Sequence, residues 1–77
     1  MNPSKIALIV DDHAVVRNGV SKSLESQGGF HIYEAASASE AMAQIAKLNP
    51  DLIIIDINLP DGNGLEVVSW VRSISST

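Results

Sequence analysis

The chain has 77 residues, 45 % apolar and 18 % charged, enough for one small core and too hydrophobic for a disordered tail, while a second domain has no room. Nine acidic residues against five basic ones give a net charge of −4, the wrong sign for phosphate backbones, so nucleic-acid binding by this segment is not expected. With no cysteine, disulfides and thiolate metal sites are excluded and a reducing compartment suits the chain.

The first element in chain order is Ile6-Ala-Leu-Ile-Val10, a short, β-branched apolar run that predicts a strand buried on both faces. It is far shorter than the ~18 residues of a membrane span. Nor does it form a signal peptide, because Lys5 precedes only five apolar residues that run into Asp11 and Asp12, so a cytoplasmic protein is expected. Val16, Val20 and Leu24 then recur every four residues and predict a helix with one apolar stripe, stopped by Gly28-Gly29.

Phe30 to Ala35 alternates weakly and predicts a second strand. Ser37-Ala-Ser-Glu40 has capping-box spacing and opens a helix whose inner face is Ala38, Ala41, Met42, Ile45 and Leu48. Asn49-Pro50 ends it, because the residue before proline is pushed out of the helical region. Leu52 to Ile55 predicts another doubly buried strand, Leu59 to Gly64 a loop rich in turn formers, and Leu65, Val68, Val71 and Ile74 the stripe of a third helix, with a polar end at Ser75 to Thr77. Three strand–helix units of this length predict an α/β fold with right-handed crossovers and a parallel sheet.

In such sheets ligands bind beyond the carboxyl ends of the strands. Asp11 and Asp12 follow the first strand and Asp56 follows the third, so the three acids converge if those strands are neighbours. Gathered carboxylates repel one another unless a cation neutralises them. Magnesium takes carboxylates, carbonyls and waters at about 2.1 Å, and a main-chain oxygen from the Asp56 to Asn58 loop would complete the set. Taken singly, Asp11 and Asp12 also read as helix-capping acids and Asp56 as a turn acid; the pairing at one sheet end favours the site. His13 reads as a solvent-facing residue of the first turn, His31 as structural, and Trp70 as a packing or partner-surface residue.

Leu8-Ile-Val-Asp-Asp12, Asp51-Leu-Ile-Ile-Ile-Asp56, and Leu59-Pro60 followed by Gly64 resemble the receiver domain of two-component response regulators. The stretch Asp12-His-Ala-Val-Val-Arg17-Asn-Gly19 resembles the NarL/FixJ (LuxR-type) subgroup, whose members usually carry a C-terminal DNA-binding helix-turn-helix domain, absent from residues 1–77. The resemblance implies a flavodoxin-like, doubly wound parallel sheet with strand order 2-1-3-4-5, of which this chain supplies 2-1-3. It implies Asp56 as phospho-acceptor and Asp11, Asp12, Asp56 and the backbone carbonyl of Asn58 as holders of Mg2+. The phosphoryl donor would be a sensor histidine kinase, and the domain would be a switch rather than an enzyme.

The same resemblance implies that residues 1–77 are a partial receiver of three units. The hydroxyl residue ending strand four and the lysine ending strand five have no counterparts, since Lys5, Lys22 and Lys47 lie elsewhere. Impaired switching is the expected consequence, and self-association through the uncovered edge of strand three is expected with it. An inert folding fragment or interaction module is the alternative. A haloacid dehalogenase-type phosphohydrolase fits less well, because Asn58 stands where a second acid must transfer a proton. An EF-hand fails because Val67 stands where a bidentate glutamate is needed.

Overall fold

The computed structural model describes residues 5–74. β1 (Lys5–Val10), α1 (Ala14–Gln27), β2 (Phe30–Ala35), α2 (Ala38–Leu48), β3 (Leu52–Ile55), β4 (Asn58–Leu59), β5 (Gly62–Asn63) and α3 (Gly64–Ile74) follow in order. β1 lies between β2 and β3 and pairs in parallel with both, which gives the order β2-β1-β3 expected of a doubly wound sheet. The polar end expected at Ser75 to Thr77 lies outside the described residues.

Side-chain alternation along the central strand divides the core into two layers. Leu8 and Val10 face α2 and α3 and pack with Ala41, Ile45 and Val67, while Ala7 and Ile9 face α1 and pack with Leu24. Leu8, Ile9 and Val10 are at most 1 % exposed, and each such burial contributes roughly 1.5–3 kcal/mol. The apolar run of β1 is continuous because both of its faces are covered.

The predicted capping residues close the start of α2, with the return bond from Glu40 reaching one residue before the N-cap Ser37. Ser37 Oγ accepts from the Glu40 N–H at 3.2 Å, and Glu40 Oε2 accepts from the Ala36 N–H at 3.0 Å. At the other end Asn49 takes the left-handed conformation (φ 51°) and donates to the Ile45 carbonyl. Gly28 and Gly29 stop α1 with φ values of 74° and 87°, a region glycine enters without steric cost.

Four expectations are corrected. In α1, Val16 is 49 % exposed, and the inward line runs through Arg17, Ser21 and Leu24. Val20 and Leu24 pack inward as expected, but spacing by four drifts roughly 40° per step, which puts Val16 roughly 80° from Leu24 and outside the covered sector. In α3, Leu65 and Ile74 are exposed, whereas Gly64, Val67, Trp70 and Val71 turn inward. A three-residue spacing drifts roughly 60° per step the other way, and contact between Gly64 and the Asp56 backbone fixes the helix rotation instead.

β3 is only half-buried, with Ile54 37 % exposed, because among the described residues it pairs on one side only. The loop predicted over Leu59 to Gly64 takes part, together with Asn58, in a small antiparallel ladder, Asn58 opposite Asn63 and Leu59 opposite Gly62. His31 is exposed on β2, and Trp70 packs against the core.

Candidate functional site

β1 and β3 run parallel in adjacent positions, with Val10 opposite Ile55, so their carboxyl ends release Asp11 and Asp56 side by side. The Asp56 N–H donates to the Val10 carbonyl at 2.9 Å, and the Asp11 N–H to the Ala35 carbonyl at 3.1 Å. The sheet ladder therefore fixes both backbones up to the residue that carries the acid. Ligand atoms from Asp11, Asp12, His13 and Asp56 lie within 4.8 Å of one another. The convergence expected of Asp11, Asp12 and Asp56 is present, and His13 joins it.

Neither Asp11 nor Asp12 caps α1. Its N-cap is His13, which makes no side-chain capping bond. Asp11 Oδ1 instead accepts from the His13 N–H at 2.9 Å, and His13 Nδ1 lies 3.0 Å from Asp11 Oδ1 and 3.1 Å from Asp12 Oδ1. The imidazole is thus solvent-facing, as expected, while also bridging two acids. The hydrogen bond to Asp11, with the charges of Asp12 and Asp11 behind it, raises the His13 pKa above 6.5. Asp56 Oδ1 accepts from the Asn58 N–H at 3.3 Å, so the turn role of Asp56 coexists with its place in the cluster. Three carboxylates meeting at one sheet end form an all-oxygen donor set suited to a hard divalent cation such as Mg2+.

Sequence reasoning assigned no role in the site to several residues that hold this geometry. Arg17 donates from Nε to Glu34 Oε1 at 2.9 Å and from Nη1 to the Asp11 carbonyl at 2.7 Å. Asp61 accepts from the Ala38 and Ser39 N–H groups at 2.6 and 2.9 Å, tying the segment after β3 to the start of α2. Those backbone bonds, Ser39 first, hold its carboxyl below the usual 3.8. Gly64 donates to the Ile57 carbonyl at 2.7 Å and lies so close to Asp56 that a Cβ would overlap the Asp56 carbonyl oxygen. Asp51, at the far end of β3, exchanges bonds of 2.8 Å with the Ile6 backbone through its N–H and its carboxylate.

The family model of the response regulator receiver domain matches residues 7–77. The chain is 43 % identical over 60 residues to the DNA-binding transcriptional activator DevR/DosR of Mycobacterium tuberculosis, covering 77 % of this chain and 28 % of that protein. It is 42 % identical over 66 residues to protein-glutamate methylesterase/protein-glutamine glutaminase 3 of Rhodospirillum rubrum, covering 86 % of this chain and 18 % of that protein. A crystal structure of a two-component response regulator of the LuxR family from Aurantimonas sp. SI85-9A1 superposes with a TM-score of 0.82 at 33 % identity, covering 90 % of this chain and 50 % of that one. The chain thus spans under a third of these curated relatives and half of that solved chain. One of these relatives bears an enzyme name and the other that of a transcription regulator. No helix among the described residues is long and apolar enough to cross a membrane. The fold, the acid cluster and these matches agree: the chain belongs to the response regulator receiver domain family.

Proposed function

We propose that this chain accepts a phosphoryl group on Asp56 from the phosphohistidine of a sensor histidine kinase, in the cytoplasm, with Mg2+ held by Asp11, Asp12, Asp56 and the Asn58 carbonyl. The observation that carries the reading is the convergence of the Asp11, Asp12 and Asp56 carboxylates within 4.8 Å at the carboxyl ends of two adjacent parallel strands. An Asp56 carboxylate oxygen attacks phosphorus and a P–O bond forms. The P–N bond to the donor imidazole breaks, and its electron pair stays on that nitrogen, which takes up a proton. When bound, the cation neutralises charge on the phosphoryl oxygens. Asp11 and Asp12 hold it, and the ladder bond from the Asp56 N–H to Val10 fixes the nucleophile's backbone.

Residues 1–77 supply three strand–helix units of the receiver and a site without the lysine and hydroxyl of the full family pattern, so transfer and switching by this chain alone are weak. As a longer protein it would regulate transcription, as the name of the DevR/DosR relative suggests. Taken alone, residues 1–77 self-associate through β3: its outer edge is unpaired among the described residues, Ile54 is exposed, and a groove of about 450 Å³ opens between Ile45, Ile53 and Val71. A second copy of the chain is the occupant. Sedimentation at micromolar concentration tests this, with a well-folded monomer as the opposing result.

For the chemistry, the chain is incubated with Mg2+ and phosphoramidate, a small donor with a P–N bond. Phosphate incorporation is expected in the wild type and is lost with EDTA or in Asp56→Asn. Incorporation that persists in Asp56→Asn would contradict the assignment of the acceptor.

A further inference from the structure

The carboxylates of Asp11 and Asp12 emerge from a turn immediately after β1, and the ladder secures only one side of it, through the Asp11 N–H on the Ala35 carbonyl. The other side of Asp11 is its carbonyl, and a side chain holds it. Arg17 Nη1 donates to this oxygen at 2.7 Å while Nε donates to Glu34 Oε1 at 2.9 Å. Glu34 is held in turn, since its Oε2 accepts from the Ser21 hydroxyl at 3.2 Å and its backbone carbonyl accepts from Gln44 Nε2 at 2.9 Å. A planar guanidinium can serve a carbonyl and a carboxylate together because its donors leave in fixed directions. The Arg17 side chain is 20 % exposed, and it occupies the inward line of α1 where an apolar residue would otherwise sit.

We propose that Arg17 is the positioning residue of the acid turn: anchored by Glu34, it fixes the Asp11 peptide so that Asp11 and Asp12 stay aimed at Asp56. The inference rests on the metal reading of the cluster for its consequence, although the turn geometry can be read without metal. Charge alone makes the opposite forecast. A guanidinium bonded to the Asp11 carbonyl opposes cation binding nearby, so its removal would tighten Mg2+ if Arg17 acted only through its field. Positioning predicts that removal weakens Mg2+, by about tenfold or more, as loss of a partner that orients a ligand does.

The test uses the whole chain and amide NMR, with Arg17→Met, Arg17→Lys, Glu34→Gln and Asp56→Asn, and the unfolding midpoint of each. In Arg17→Met the Asp12 amide, which shares a peptide with the held carbonyl, is expected to shift in the metal-free chain, and the Mg2+ dissociation constant to rise about tenfold. Arg17→Lys keeps the charge but lacks the fork, so most of that loss remains. Glu34→Gln produces a smaller loss in the same direction. Tighter or unchanged Mg2+ binding in Arg17→Met, or full rescue by lysine, would overturn the proposal, as would an unmoved Asp12 amide. Failure of the underlying reading looks different: Mg2+ then moves no amide beside Asp56 in the wild type, or binds Asp56→Asn equally well.

Discussion

Replacing Gly64 with alanine probes the joint between β3 and α3 that sets the backbone of Asp56. A Cβ at this position overlaps the Asp56 carbonyl oxygen and stands 2.9 Å from the Asp56 carbonyl carbon and 3.1 Å from Ile57 Cα, where ordinary contact begins at 3.4 Å. All three neighbours are backbone atoms, so no flexible side chain can yield, and α3 must withdraw by on the order of 1 Å. That withdrawal lengthens the 2.7 Å bond from the Gly64 N–H to the Ile57 carbonyl, and it loosens Val67 from the core. Overpacking of this kind costs about 1–3 kcal/mol and a weakened hydrogen bond about 1 kcal/mol more, against a helix-propensity gain of under about 1 kcal/mol for alanine. The net expectation is a loss of about 2 kcal/mol. In urea, with a slope near 1 kcal/mol/M for a chain this small, the midpoint falls by about 2 M. Gly19→Ala is the matched comparison, because nothing lies within 4 Å of its added Cβ, and it should gain up to about 1 kcal/mol from propensity. A Gly64→Ala chain as stable as the wild type would refute the reasoning.

Asp12→Ala should weaken Mg2+ binding by roughly tenfold or more, whereas Asp51→Asn should lower stability through its bond to Ile6 and leave Mg2+ binding intact; calorimetric titration that shows equal effects on Mg2+ would sink the site assignment. Ser37→Ala should cost about 1 kcal/mol, lowering the urea midpoint by about 1 M, since it leaves the Glu40 N–H without its cap. Asp61 gives a pH dependence. Its carboxyl is held below 3.8 in the folded chain, so its contribution is fully present above the unfolded value near 3.8 and is lost as pH falls through the lower folded value. The stability difference between wild type and Asp61→Asn should therefore be constant from pH 7 to about 5 and shrink below 3.8; a difference that grows on acidification would contradict the two backbone bonds assigned to Asp61.

Local signals were legible, and through-space ones were not. β1 could be read because an unbroken apolar run means cover on both faces, and the start of α2 because Ser37 caps the Glu40 N–H and Glu40 accepts from the Ala36 N–H within one turn. The acid cluster was legible once strand order came from the family resemblance, since nothing local to Val10 or Ile55 says that they are neighbours. Val16, Leu65 and Ile74, the outer ends of the α1 and α3 stripes, are exposed because fixed spacings of four and three both drift around a helix. Counting back seven residues from Leu24, close to two full turns, lands on Arg17, and that count would have revealed an inward arginine. Asp61 gave no signal, as the N–H groups it caps lie 22 and 23 residues away. The ladder between Asn58–Leu59 and Gly62–Asn63 is too short for any periodicity to report.

The central claim is that Asp56 receives phosphate because Asp11 and Asp12 gather a cation beside it, and residue-level mapping of the acyl phosphate tests it most directly. The chain is treated with phosphoramidate and Mg2+, reduced with borohydride to convert phospho-aspartate to homoserine, and digested for mass spectrometry. Homoserine is predicted at position 56 alone, abolished by EDTA and strongly reduced in Asp12→Ala. Homoserine at Asp11, Asp12 or Asp61, or equal yield at position 56 with and without Mg2+, would contradict the account.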